Sequence, residues 1–513
     1  MSTDYQAPER EINMLKRLTQ IGIALSKEKN INRLFEMILE FAMDFTQADG
    51  GTLYVISEDR KTLNFVVAKN KTLAANSKLR DLSTHWNPIP LMNDDGSPNL
   101  SNVSSYCAIK GEVINIPDVY ESEEFNFQGP REFDLRTGYR SKSMLVVPMK
   151  NHEDEIIGVL QLINAKDNST GQIISFSSFS QEMAECLASQ AAIALTNRML
   201  IMELDNLFES SIRVIASAID EKSPYTSGHS RRVADLAVEM AKRINETKNG
   251  PFANLFFNEE ELKEIALAAL LHDLGKISIP EHIMDKRKKL ESVLDRIELI
   301  KMRYEILKRE RATSKDVKSD EDSEIEKEIR FIEEVNSGNF PLSDEMLERL
   351  RRISKRTYRS DKGDMPLVTK EELKHLSVRA GTLTQEEKAI IESHAEITFK
   401  MLSQLPFPRK LRNVPFIAGS HHEKLNGKGY PRNLKAEDLP LQSRILSIAD
   451  IFEALTAKDR PYKKAKTLSQ AIRILKEMAE KGEVDRDLVD LLVESGIAYE
   501  YGRRELLPEQ IDI

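Results

Sequence analysis

Two cysteines in 513 residues are too few for a disulfide framework, and Cys107 and Cys186 show no metal-site spacing. That scarcity fits a reducing compartment, and a cytoplasmic protein is expected. No apolar run approaches the roughly 18 residues of a membrane span, so none is expected. Residues 1–16 lack the apolar core of a secretory signal. Basic charge is not in surplus, with 83 Asp and Glu against 74 Lys and Arg and a net charge of −9. This argues against broad electrostatic binding to a nucleic acid polymer. Aromatics are 6%, and 21 glycines with 19 prolines exclude collagen-like and low-complexity classes. What remains is 40% apolar and 31% charged, enough for real cores and two or three domains.

Along residues 10–46, Leu15, Leu18, Ile21 and Leu25, then Leu34, Phe35, Ile38 and Phe41, recur at helical spacing. A turn at Asp49-Gly50-Gly51 leads into strand patterns at 52–56 and 63–67. Residues 70–140 are polar, with weak signals. Residues 143–149 and 156–163 are apolar runs across the turn 151–154 and read as a β-hairpin. Residues 177–212 read as one long helix. With the segment Gly111 to Asp118, this order resembles a GAF domain over 10–198. The resemblance implies a small-molecule sensor, dimeric through its long helices, holding an unknown small ligand. Cys107 reads as a small buried hydrophobe rather than a reactive thiol.

From about 205 the pattern is helical to the end. Residues 287–379 are a charged stretch read as long solvated helices with a flexible middle. Seven of the nine histidines lie between His229 and His422, so the chemistry is expected there. Asn258 and Glu261 form a capping pair that starts a helix, and Gly275 is its expected stop. On that helix Leu262, Ile265, Ala266 and Ala269 make an apolar stripe, which His272 and Asp273 continue. An unpartnered imidazole and carboxylate are costly to bury. A lone His–Asp hydrogen bond in a core would be explanation enough.

The other histidines change that reading. His229 opens a helix whose apolar face runs through Val233, Leu236 and Met240. His394 follows the Thr384–Glu387 capping box and shares a stripe with Ile390, Ile391, Ile397 and Met401. His421 and His422 end an apolar segment, and as helical neighbours would diverge by about 100°. Asp450 sits in an otherwise apolar helix. Five inward histidines and two inward aspartates point to a metal centre. Seven ligands exceed one ion, so two ions sharing a carboxylate are expected, with Asp273 as the bridge. Imidazole and carboxylate without thiolate suit iron, manganese or zinc.

The series GHS (228–230), HDLGK (272–276), His394, HHEKLNGKGYP (421–431), Asp450 and RPYK (460–463) resembles an HD-GYP domain. The resemblance implies a metal-dependent phosphodiesterase of cyclic di-GMP, yielding the linear dinucleotide pGpG and then GMP. It implies His229, His272, Asp273, His394, His421, His422 and Asp450 as ligands of two divalent ions, iron or manganese first. It assigns catalysis to Asp273 and Lys276, and substrate contacts to Lys276, Gly429, Tyr430, Arg460 and Lys463. Lys276 alone reads equally as a cation at a helix C-terminus, and Arg460 and Lys463 as surface charges. Tyr430 could stack on guanine, dock a signalling partner through the GYP loop, or mark a plain turn. Some members hold a third metal through a carboxylate just before the first histidine. Tyr225 stands four residues before His229, so two ions are expected. His282 is expected to pack locally, and His375, inside the insertion, to be exposed.

The expected architecture is multidomain. An α/β GAF sensor (10–198) is joined by a long helix to an all-α HD-GYP domain (199–513) carrying a charged, mostly helical insertion at 287–379. The expected partners are cyclic di-GMP and a second copy of the chain. The competing readings are a phosphodiesterase of another cyclic dinucleotide and a catalytically silent receptor or scaffold.

Overall fold

The computed structural model describes residues 6–74, 87–222, 228–313, 319–457 and 465–513. They form two compact units, Met1–Leu207 and Phe208–Ile513. The first unit opens with helices α1 (Gln6–Lys27) and α2 (Ile31–Thr46). Strands β1 (Ala48–Ile56) and β2 (Thr62–Asn70), helix α3 (Lys71–Ala74) and strand β3 (Ile89–Pro90) follow. Then come α4 (Val103–Lys110), β4 (Ile114–Ile116), α5 (Gln128–Thr137), β5 (Met144–Lys150), β6 (Ile156–Lys166), β7 (Ile173–Ile174) and the long α6 (Ser178–Lys222), which from Phe208 on belongs to the second unit. The sheet is antiparallel in the order β3-β2-β1-β6-β5-β4, with β7 on β6. The hairpin expected at 143–163 is β5 paired with β6, Val147 opposite Leu160.

Alternation along these strands supplies two cores. Leu53, Leu145, Val147, Leu160 and Leu162 face α1, α2 and α6. Tyr54, Met144, Val146 and Val159 pack with Val103 and Cys107 of α4. A sheet covered on both faces explains why β5 and β6 read as apolar runs rather than as alternating strands. The stretch 70–140 holds more order than its polar composition suggests. Asn102 caps α4 by accepting from the amides of Ser104 and Ser105, and Gly111 closes it at φ 69°.

The second unit contains α7 (His229–Glu246), α8 (Glu259–Leu271), a 3₁₀ turn (Leu274–Ser278), α9 (Glu281–Met284), α10 (Ile297–Thr313), α11 (Ser319–Asn336) and α12 (Asp344–Ile353). The strands β8 (Thr357–Ser360) and β9 (Gly363–Pro366) follow, then α13 (Lys370–Leu376), α14 (Gln385–Leu402), α15 (Val414–Ala418), α16 (Leu441–Thr456), α17 (Leu468–Glu480), α18 (Arg486–Glu494) and α19 (Ile497–Glu505). Its main core joins Val233 and Met240 of α7, Ile265 and Leu271 of α8, and Ile445, Ile448 and Phe452 of α16.

The insertion differs from the expectation of solvated helices. It has a core of its own, built on Leu290, Ile300, Tyr304, Ile325, Ile332, Leu350 and Leu367. It also carries the β8–β9 hairpin. Most of its charged residues occupy outer faces, with Lys289, Glu328 and Glu372 buried, while every third or fourth position is apolar, so charge density masked the stripe. His375, expected to be exposed, is buried: its Nδ1 lies 3.1 Å from Nζ of the buried Lys286, which donates to Glu387 at 2.6 Å. His282 is exposed.

Candidate metal centre

The side chains come together at the ends of helices rather than along them. The expected capping boxes are present at Asn258–Glu261 and Thr384–Glu387, and they start α8 and α14. Gly228 takes φ 71° as the N-cap of α7, which delivers His229 as that helix's first residue. His272 is the C-cap of α8, and Asp273 leads into the 3₁₀ turn. Gly275 is needed there for close approach. A Cβ on it would collide with the carbonyl oxygen of His394. Its amide donates to Thr398 Oγ1 at 2.8 Å, and that hydroxyl donates to the His272 carbonyl at 3.0 Å. Gly275 and Thr398 thus dock the HD pair onto α14 beside His394.

His421 and His422 do not lie on a helix. They occupy the turn after α15, with ring centroids 4.0 Å apart, so the expected divergence is absent. Proline at the first turn of α15 and Gly419 after it limit that helix to one short segment. Buried Glu423 organises the following loop by accepting from the amides of Arg432 at 2.7 Å and Leu434 at 2.9 Å. Gly429 packs on the backbone of Glu423 and Lys424, where a Cβ would not fit.

All seven expected ligands converge. His229, His272, Asp273, His394, His421 and Asp450 are buried and His422 is half-buried. Asp273 lies between two groups. Its Oδ2 is 3.3 Å from His272 Nε2 and 3.6 Å from His229 Nε2. Its Oδ1 is 3.5 Å from His394 Nε2 and 4.0 Å from His421 Nε2. Asp450 Oδ1 joins the first group at 3.4 Å from His229 Nε2. His422 joins the second, with His394 and His421. Each group therefore offers four side chains, with Asp273 common to both.

Whether these residues fit cations is decided by their lone pairs. Nδ1 of His272, His394 and His421 each lies 2.6–2.7 Å from the carbonyl three residues earlier, of Ala269, Ile391 and Ala418. A carbonyl only accepts, so Nδ1 carries a proton, and in the neutral ring Nε2 is then the nitrogen that presents a lone pair. Nε2 of His394 faces Nε2 of His421 at 3.3 Å, and Nε2 of His229 faces that of His272 at 3.3 Å. Among the described residues, buried Asp273 Oδ1 has no hydrogen-bond partner. Inward lone pairs around an unpartnered carboxylate oxygen suit divalent cations of intermediate softness.

The electrostatics divide the same way. Burial opposes charge on His229, but Asp450 and Glu453 outweigh it and raise the imidazole to about 10. A proton and a cation therefore compete for that ring. Burial and His422 push His421 well below the usual imidazole range, and burial lowers His422 to about 4. Burial would favour protonated Asp273, yet His272 and Lys276 hold it well below the usual carboxylate range. Lys276 Nζ donates to Asp273 Oδ2 at 2.5 Å and keeps an exposed edge.

Tyr430 lies against the second group, its ring 4.7 Å from that of His422. Arg460, Lys463 and Tyr225 fall outside the described residues. Sequence reasoning missed two contributors. Glu453, wholly buried, sits 2.5 Å from His229 Nδ1. Thr398 ties the HD pair to α14. The only sequence signal was position: each lies one helical turn from an expected ligand, Glu453 after Asp450 and Thr398 after His394.

In the first unit a cavity of about 780 Å³ is lined by Thr52, Tyr54, Phe65, Phe127, Tyr139 and Gln161, among others. Cys107 is fully buried outside that lining, and burial pushes its thiol up, away from reactivity.

Comparison with known proteins gives the same division. A GAF domain matches residues 30–195, and HD domains match 226–353 and 360–488. The chain thus carries a GAF domain followed by a helical HD region, and the proteins it is similar to include cyclic-dinucleotide phosphodiesterases. It is 35% identical over 286 residues to 3'3'-cGAMP-specific phosphodiesterase 1 of Vibrio cholerae, covering 56% of this chain and 41% of the relative. It is 24% identical over 291 residues to phosphodiesterase 3 of that organism and specificity, covering 56% and 40%. It is 38% identical over 104 residues to the cyclic di-GMP phosphodiesterase of Thermotoga maritima, covering 20% and 28%. The chain thus spans about two fifths of the first two relatives and less of the third. No helix among the described residues is long and apolar enough to cross a membrane.

Proposed function

We propose that the chain hydrolyses phosphodiester bonds of a cyclic dinucleotide with two divalent metal ions, under control of a small ligand in the GAF domain. The observation that carries this reading is Asp273, whose two oxygens face two histidine groups and one of whose oxygens has no hydrogen-bond partner among the described residues. His229, His272 and Asp450 would hold one ion, His394, His421 and His422 the other, with Asp273 shared. Iron or manganese is the first expectation. Bound there, such ions supply Lewis acidity toward a phosphodiester and lower the pKa of water.

The chain's own residues do the rest. Lys276, between buried Asp273 and solvent, offers an ammonium to the charge that builds on phosphoryl oxygens. Tyr430 provides an aromatic face beside His422 for a base, and Glu423 anchors the chain just after the Gly427–Pro431 loop. Arg460 and Lys463 complete the proposed substrate contacts. Cyclic di-GMP is the first candidate substrate. The relatives from Vibrio cholerae support 3'3'-cGAMP as the second.

Ile193, Leu200 and Leu207 recur every seven residues on the exposed side of α6, with Leu204 between them. That spacing suits a coiled-coil seam with a second copy. A monomer mass by light scattering at micromolar protein would remove the dimer from the proposal.

The test of the enzyme is metal analysis with turnover of both dinucleotides on anaerobically purified protein, alongside Asp273→Ala. About two ions per chain, with linear product from one substrate and both lost in the variant, support the reading. Folded protein without metal refutes it.

A further inference from the structure

Resting on that metal-centre reading, we propose that Glu453 is a positioning residue. It fixes the tautomer and plane of His229 so that Nε2 is available to a metal ion, and Arg232 pairs with its other oxygen.

The observation is an asymmetry among the histidines. His272, His394 and His421 each anchor Nδ1 on the carbonyl three residues back. His229 is the first residue of α7, so no earlier turn of that helix provides such a carbonyl. Glu453 takes that place from another helix. Its Oε2 lies 2.5 Å from His229 Nδ1, while its Oε1 accepts from Arg232 Nε at 2.7 Å. The pairing is reciprocal. His229 and Arg232 stand one turn apart on α7, and Asp450 and Glu453 one turn apart on α16. Asp450 Oδ1 faces Nε2 of the imidazole at 3.4 Å while Glu453 holds Nδ1. Two carboxylates of one helix thus grip the ring from both nitrogens.

Glu453 has no exposed surface. A buried carboxylate is costly unless paired, and Arg232 pairs it. A structural ion pair would need Arg232 alone. The second oxygen on a ligand imidazole gives the group a further role. A carboxylate on the far nitrogen sets the tautomer and strengthens the ring as a donor, and losing such a partner typically weakens metal binding about 10- to 100-fold.

The experiment uses the full chain with cobalt(II) alone as the probe, titrated against a chelator at fixed pH. Glu453→Gln, Arg232→Gln and Asp450→Asn are compared, with thermal melting of each. The expected result is a cobalt affinity at one of the two sites about 10- to 100-fold weaker in Glu453→Gln, with an altered visible spectrum, while Arg232→Gln loses stability with a smaller change in affinity. Wild-type cobalt affinity in folded Glu453→Gln would overturn the proposal. If Asp450→Asn also binds cobalt like the wild type, the metal reading itself fails. Nitrogen-15 spectra of histidine-labelled wild type, loaded with zinc, provide a test that needs no variant. Nδ1 of His229 protonated and Nε2 metal-bound is the expected pattern, and the reverse overturns it.

Discussion

Replacing Gly275 with alanine should damage stability and metal binding together. The added methyl would collide with the His394 carbonyl and lie within 2.9 Å of the Thr398 amide. Both are helix backbone, so the 3₁₀ turn must move instead of a flexible side chain. Overpacking of this kind costs about 1–3 kcal/mol. If the Gly275 amide also loses Thr398 Oγ1, about 1 kcal/mol more is lost. At about 2–4 °C per kcal/mol for a large domain, the melting temperature should fall by roughly 5–15 °C. The displacement has a direction, because it pushes His272 and Asp273 away from His394. The second ligand group should therefore lose affinity beyond what the melting shift explains. Thr398→Val, which removes the hydroxyl without adding bulk against the turn, should cost about 1–2 kcal/mol and less metal. Differential scanning calorimetry and metal titration of both variants check this. If Gly275→Ala melts with the wild type, the close approach is not what fixes glycine there.

Lys276→Met should keep both ions and lower turnover about 10²- to 10³-fold, read by metal analysis beside initial rates. Lys286→Ala removes the cation that half-buried Glu387 and buried His375 share, and should destabilise by about 2–4 kcal/mol in chemical denaturation. Glu386→Ala, on an exposed neighbour, should stay within about 0.5 kcal/mol. Burial lowers Lys289 to about 8 from the ordinary 10.5, its ammonium held by the carbonyls of Leu376 and Val378. The unfolded chain binds more protons than the folded one between those values, so this residue's contribution to stability rises with pH there. The stability difference between wild type and Lys289→Met should grow in favour of wild type from pH 8 to 10.5. A difference independent of pH would show that Lys289 is not desolvated.

Much of the site was legible because each expected ligand interrupts an apolar stripe, and an interruption needs a cause. His229, His272, Asp273, His394 and Asp450 were visible this way, as were the capping boxes that start α8 and α14. His421 and His422 were found but misplaced: helical periodicity is meaningless in a turn that one proline and one glycine impose. Glu453 was hidden because a charged residue in a helix normally means a solvated face, and only the packing of α16 on α7 reveals that this one points inward. The insertion was hidden for the same reason. Its acids and bases outnumber its apolar positions, yet Tyr304, Ile332 and Leu350 suffice for a core. Helices α4 and α5 were missed because short helices are set by caps and tertiary packing more than by periodicity.

The insertion also bears on how the two ligand groups meet. Asp273 and His394 are about 120 residues apart in sequence, yet the link between them is entropically short. Lys289, at one foot of the insertion, holds the carbonyls of Leu376 and Val378 at the other, and a core of its own shapes the chain in between. Each doubling of a flexible loop costs only about 0.6 kcal/mol to close, and a segment that folds on itself avoids most of even that. To the ligand groups, the intervening chain behaves as a short tether rather than a long one. Material can thus be added or removed at that point with little penalty to assembly of the centre, which makes the place where Lys289 meets Val378 a natural port for acquiring new modules.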